Sequence, residues 1–164
     1  MHPAALRPLL LLPLALLFAA CVNTDAAIFV EPTVESVEAT VDGGTLGVAL
    51  SGNFHLRLHL GPRATGPSVV QLLSAKILDA QQKAEIIGAL PVTKTSPAVP
   101  VTVALDSDVD LIVTFDTGTK LLPGELSAKL CDAEGVVLGG TIQDSLQTTA
   151  TVFASPAFHV SGCK

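Results

Sequence analysis

The segment Phe54-His55-Leu56-Arg57-Leu58-His59-Leu60 puts four apolar side chains on one parity and three cationic or titratable ones on the other. Side chains of an extended strand point alternately to opposite faces, so this segment has one face for a core and one for water. The same alternation runs through most of the chain beyond residue 27. Just upstream, Leu46, Val48 and Leu50 alternate with Gly47 and Ala49, and Ser51-Gly52-Asn53 reads as the turn that joins the two segments into a strand pair. Ile28 to Val30 and Val34 to Val41 open the series, broken by Pro32, with Asp42-Gly43-Gly44 as a hairpin turn. Thr148 to Phe153 and Phe158 to Val160 close it. Strand length and Gly and Pro punctuation predict an all-β chain, an immunoglobulin-like antiparallel β-sandwich of about 8–10 strands.

Ser68 to Leu90 supports two readings. Val69, Leu72, Leu73, Ile77 and Ala80 share a helical face, and Ser68 with Gln71 resembles a capping box. An internal echo points to strand, turn, strand instead. Leu73-Ser74-Ala75-Lys76 recurs as Leu126-Ser127-Ala128-Lys129, an offset of 126 minus 73, and the second copy runs into the turn-like Asp132-Ala133-Glu134-Gly135. The same offset aligns Leu46, Val48 and Leu50 with Val99, Val101 and Val103, and Leu56, Leu58 and Leu60 with Val109, Leu111 and Val113. Two related halves of about four strands each are expected on that basis. Val92 to Pro100, with its prolines, reads as the connection between them. Gly61 to Pro67 reads as a loop and a candidate binding loop.

Ahead of this pattern lies a different kind of segment. Arg7 is the only Lys, Arg, Asp or Glu in the first twenty residues, and Leu9 to Ala20 contains only Leu, Ala, Phe and Pro13. A run of this length falls short of the roughly 20 residues a membrane-spanning helix needs, so it reads as a secretory signal peptide. It ends in Leu17-Phe18-Ala19-Ala20-Cys21, which resembles the bacterial lipoprotein signal, with Phe18 where that signal usually has Leu. The resemblance implies removal of residues 1–20, a diacylglycerol on the Cys21 thiol, and residues 21–27 as a lipidated tether to one sandwich domain over residues 28–164. Two acyl chains hold a protein stably where one holds it marginally. Val22 after the cysteine, where Asp would resemble an inner-membrane retention signal, implies the outer membrane of a bacterial envelope. With Cys21 so used, Cys131 and Cys163 remain as a pair in an oxidising compartment, and a disulfide between them is expected to tie the last residues to an internal strand. Closing such a loop stabilises a fold by roughly 3–4 kcal/mol.

All fifteen acids but only eight of the nine Lys and Arg residues lie beyond residue 20, so the mature charge is 8 minus 15 and nucleic acid is not an expected partner. The absence of Trp and Tyr removes the aromatic platforms that stack on sugars or bases. His55, Arg57 and His59 form a candidate binding strip for an acidic partner or lipid phosphate. The two histidines stand roughly 13 Å apart along a strand, too far to share one ion. Asp106, Asp108 and Asp110 resemble the opening of a calcium loop, but Leu111 stands at its glycine position and Thr117 at its final glutamate position. No metal or other cofactor is expected. No Gly-x-Ser-x-Gly elbow occurs, and the carboxylate pairs read as solvated acids, so no enzymatic activity is expected.

These features converge on a non-enzymatic, lipid-anchored envelope protein acting through protein contacts, with the membrane and an unknown protein as partners. Small-ligand or divalent-ion binding in the periplasm is the alternative, through Asp106 to Asp116 or the His55–His59 face. An inhibitor or chaperone-like sandwich, using a strand edge or Gly61 to Pro67, is the third.

Overall fold

A computed structural model of the chain describes residues 25–44, 47–118 and 121–163. Cys21 and the signal-like segment lie outside the described residues. The described strands are β1 (Glu31–Gly44), β2 (Gly47–Leu60), β3 (Ser68–Asp79), β4 (Glu85–Ile87), β5 (Val92–Ser96), β6 (Val101–Val103), β7 (Ser107–Asp116), β8 (Val136–Asp144) and β9 (Thr151–Ala154), with one short helix, α1 (Glu125–Leu130). They form two antiparallel sheets, one ordered β1-β2-β7-β5 and the other β4-β3-β8-β9, with β6 also paired to β3. The chain is thus an all-β sandwich, as its alternation predicts. Ser68 to Leu90 is strand, turn, strand, not a helix.

The core lies between the sheets and is built from the inward parity of each strand. Leu50, Phe54, Leu56, Leu58 and Leu60 of β2 and Val113 and Phe115 of β7 are fully buried, facing Ile77, Val103, Leu138 and Ile142 from the second sheet. Fully burying each such side chain contributes about 1.5–3 kcal/mol, and together these residues outweigh any local turn preference.

That balance explains the first departure from the sequence reading. Ser51-Gly52-Asn53 is no turn: β2 is one continuous strand, with Gly52 opposite Ala39 of β1 and Phe115 of β7. Gly52 falls on the inward parity between Leu50 and Phe54, and its missing side chain makes room for a neighbour. A Cβ there would lie 2.8 Å from the Phe115 ring and would also strike the Glu38 carbonyl. Asp42-Gly43-Gly44 is likewise not the turn, because the ladder continues through Asp42↔Ala49 and Gly43↔Val48 to Gly44↔Gly47. Pro32 sits within β1, where an outer strand tolerates the missing donor.

The two halves do not repeat each other. The first Leu-Ser-Ala-Lys copy lies in β3, but the second lies in α1. Pro123 and Gly124 precede that copy, and their carbonyls accept from the amides of Leu126 at 2.9 Å and Ser127 at 3.0 Å, closing a helical turn. Leu126 and Leu130 then fall four apart on one face, and Leu130 is buried. The aligned apolar residues fare no better as a duplication. Val48 to Leu60 belong to one strand, whereas their counterparts fall in β6 and β7, in different sheets.

Val92 to Ser96 is not a bare connection but β5, the outer strand beside β7, and the prolines lie beyond it at Pro97 and Pro100. The turn through Asp106 carries the chain from one sheet to the other, since β6 pairs with β3 and β7 with β2. Phe158 to Val160 makes only an isolated bridge to Val136, while Ser161 bridges Thr40 on the outer edge of β1.

Cys131 and Cys163 are disulfide-bonded, with Cα atoms 5.6 Å apart. The bond joins the last residues to the end of α1 rather than to a strand. It spans 32 residues. In the chain-entropy account a loop of that size is worth about 3–4 kcal/mol.

Two stability outcomes follow. Gly52→Val should cost about 1–3 kcal/mol by overpacking, seen as a lower urea midpoint with an unchanged slope. If the strand did break at Ser51–Asn53, the substitution would be nearly silent. Reduction of the disulfide should lower stability by about 3–4 kcal/mol, measured by urea unfolding with and without reductant.

Candidate functional site

The outward parity of β2 carries His55, Arg57 and His59, and the structure brings acids of the same chain to two of them. In the ladder, His59 stands opposite Glu31 of β1 and Asp108 of β7, and Arg57 stands opposite Thr33 and Asp110. Arg57 reaches diagonally to Asp108 with both ends of its fork: Nε donates to Oδ1 at 3.0 Å and Nη2 to Oδ2 at 2.8 Å. His59 Nδ1 lies 2.8 Å from Asp108 Oδ1, and its Nε2 lies 2.9 Å from Asp25 Oδ2. Asp25, His59, Asp108 and Arg57 therefore form one continuous hydrogen-bonded row.

Ionised carboxylates only accept hydrogen bonds, so both ring nitrogens of His59 must carry protons for both contacts to hold. Those two hydrogen bonds, first the one to Asp25 and then the one to Asp108, raise the His59 pKa above its ordinary value. Asp108 is lowered mainly by the Arg57 fork and then by His59. Asp25 is lowered first by the Ala27 amide and then by His59. Arg57 is raised by Asp108. The side chains of Arg57 and Asp108 remain 45 % and 41 % exposed, so water and salt screen the pairs. The row serves position more than stability.

What it positions is the segment that follows Cys21. Asp25 Oδ1 accepts from the Ala27 amide at 3.0 Å, and the Ala27 carbonyl accepts from the Gly61 amide at 3.1 Å. Gly61 needs its missing side chain, because a Cβ would stand 2.7 Å from the Ala27 carbonyl and 2.8 Å from the Asp25 carboxylate. The Gly61–Pro67 loop, expected as a binding loop, thus receives the protein's own N-terminal segment. Deeper in, the Val30 amide donates to Asp144 Oδ2 at 3.2 Å. Asp144 is a buried carboxylate, and it also accepts from Ser68 Oγ at 3.3 Å, the Leu146 amide at 2.7 Å and Gln147 Nε2 at 2.8 Å. The folded part accordingly includes Asp25 to Ala27, which the sequence reading assigned to the tether, and Ala27 is buried.

The remaining candidates fall elsewhere. His55 lies between Ser36 and Ile112, outside the row. Asp106 sits exposed in the turn before β7 in the left-handed region, with φ of 51°. Asp110 faces Arg57, and both Asp108 oxygens are committed to Arg57 and His59, so the three aspartates do not converge on one point. Among the described residues no group of three His, Cys, Asp or Glu side chains stands where it would hold a metal ion. While both of its ring nitrogens donate to carboxylates, His59 has no lone pair for a metal or for general-base work.

Two hollows lie at the opposite end of the sandwich. One, of about 400 Å³, is lined by Ile87, Ala89, Leu90, Pro91, Thr117 and Leu122. The other, of about 230 Å³, includes Asp79, Glu85, Lys129, Asp132 and Glu134 in its wall. Comparison with protein-family models, with curated protein sequences and with solved structures brings no match to this chain.

Asp25 and Asp144 are the residues sequence reasoning missed. Each is an isolated acid beside small or polar neighbours, and only the chain's return past Gly61 and Ser68 gives it a role.

The row has a definite pH window. His59, raised, contributes below its ordinary value and loses that contribution as pH climbs through its folded value. Asp25 and Asp108, lowered, contribute above the ordinary carboxylate value and lose it as pH falls through theirs. The hold on residues 25–27 is therefore greatest between roughly pH 4 and 6.5. NMR should find the His59 ring titrating above about 6.5, and Asp25→Asn should bring that midpoint down. An unmoved midpoint would refute the Asp25 contact.

Proposed function

We propose that this chain is a lipid-anchored protein of a bacterial cell envelope, a β-sandwich module that acts through protein contacts rather than catalysis. The observation that carries the reading is Leu17-Phe18-Ala19-Ala20-Cys21, four residues ahead of Asp25, where the folded part is already held. A diacylglyceryl group on Cys21 would attach the sandwich to a bilayer, and among the described residues no helix is long and apolar enough to cross one. Val22 in place of Asp supports the outer membrane as the site.

The strand orders support the immunoglobulin-like form of the sandwich. With β6 set aside and the strands lettered along the chain, one sheet runs A-B-E-D and the other C′-C-F-G. That is the two-sheet arrangement of immunoglobulin-like domains with one strand added to the second sheet. Such modules commonly act through loops and outer strands, and β5 and β9 offer exposed outer strands here.

Small-ligand binding has one observation behind it, the apolar hollow bounded by Ile87, Leu90 and Leu122. Calorimetric titration with short apolar ligands tests that reading, and saturable heat abolished by Leu90→Trp would favour it.

For the anchor, Cys21→Ala should move the protein from the membrane to the soluble fraction, with the loss of a diacylglyceryl mass from the processed chain. Continued membrane retention, or a wild-type chain with an unmodified Cys21 thiol, would overturn lipid anchoring.

A further inference from the structure

The sandwich has two unlike ends. Ladder pairs Glu31↔His59, Leu60↔Ser107 and Ser68↔Val103 place the N-terminal segment, Gly61–Pro67 and the β6–β7 turn together at one end. Gly44↔Gly47, Ser51↔Asp116 and Asp79↔Val136 place the last pair of the β1–β2 ladder, α1 and the disulfide at the other.

The first end carries large apolar side chains that the core does not use. Ile28 is 49 % exposed, Phe29 39 % and Leu105 43 %. Arg63 is exposed in the Gly61–Pro67 loop at the same end. Exposed apolar groups that share an end with a guanidinium suit a phospholipid surface, where the former enter the acyl boundary and the latter meets phosphate oxygens.

Chain length decides the occupant. Cys21 precedes Asp25 by four residues, and an extended chain covers at most about 3.6 Å per residue. A lipid on Cys21 can thus stand no more than about 14 Å from Asp25, which is itself fixed to His59 and, through Ala27, to Gly61. A short lead tied to a fixed point cannot let the sandwich roam.

We propose that Ile28, Phe29 and Leu105, with Arg63 at the same end, form a bilayer-contact surface that seats the sandwich on its N-terminal end. The disulfide end and the apolar hollow then face away from the membrane. The proposal rests on the lipid-anchor reading for its proximity, but it concerns orientation rather than attachment.

The chain contains no Trp or Tyr, so a single introduced Trp is an unambiguous reporter. Phe29→Trp and Leu105→Trp probe the seated end, Leu121→Trp the far end and Val152→Trp the flank, all at exposed positions. The full chain is produced in a bacterial host and reconstituted in phosphatidylcholine vesicles with brominated acyl chains. Should mass spectrometry find Cys21 as a free thiol, the anchor reading fails. That thiol is then coupled to a maleimide phospholipid, so that orientation is still measured.

Emission from the Phe29→Trp and Leu105→Trp variants should shift to shorter wavelength and lose most of its intensity, while the Leu121→Trp and Val152→Trp variants keep theirs. Quenching at position 152 or 121 without quenching at 105 would overturn the proposal in favour of a reclining or inverted sandwich. Quenching nowhere on vesicle-bound protein would overturn it outright. Amide exchange on the unaltered chain gives a second reading that no misfolded variant can obscure. Amides of residues 26–29, Gly61 and 63–66 should slow on vesicles while Thr117 and Leu122 exchange as in solution, and equal rates throughout would refute the contact.

Discussion

The structure depends on the register of β2. This strand is fourteen residues long, pairs along its length with β1 and across much of it with β7, and commits one parity wholly to the core. Because side chains alternate with a period of two, a slip of one residue would drive Arg57 and His59 inward and expose Leu56 and Leu58. The buried row therefore fixes the outward row. The hydrogen-bonded series from Asp25 to Arg57 exists because the leucines are where they are.

How much of this can be read from the residues differs from segment to segment, and the differences have physical causes. The alternation of Phe54 to Leu60 is legible because both faces of one strand are written in seven consecutive residues. Gly52 is misleading by the same local logic. A glycine between polar neighbours looks like a turn, and only Phe115 from β7 reveals that the missing side chain is space for a ring. Val92 to Ser96 looks like a linker because prolines lie at both ends of it, yet an outer strand needs only one side of its backbone paired. The two Leu-Ser-Ala-Lys copies teach the most, since identical tetrapeptides become strand and helix. The β8 ladder on one side and the Leu90 amide, donating to the Ala75 carbonyl, hold the first copy extended. Pro123, Gly124 and the burial of Leu130 wind the second.

The site was half legible. His55, Arg57 and His59 stand out as a cationic strip, and Asp106, Asp108 and Asp110 as an acidic one, but their meeting is a property of the β2–β7 ladder. Sequence spacing placed Asp108 in a calcium-like series, whereas the ladder sets it across from His59 and within reach of Arg57. Asp25 carries no signal of its own. Its histidine partner, His59, is 34 residues away, and the contact arises only once β2 has turned back along β1.

The two ends of the sandwich are secured by different chemistry. At the far end a covalent bond ties α1 to residue 163, and Ser161 joins the outer edge of β1, its amide and carbonyl pairing with Ala39 and Val41. At the near end the ties are hydrogen bonds in series. Asp25 meets the half-exposed His59 and Ala27 meets Gly61, and behind them Val30 meets the buried Asp144. A pull on the segment after Cys21 would reach the screened, exchangeable contacts of His59 and Gly61 before the buried one. Releasing the first leaves β1 paired, whereas releasing the second strands the Val30 amide inside the protein, where an unmade hydrogen bond is expensive. The fold thus places a yielding contact ahead of an unyielding one.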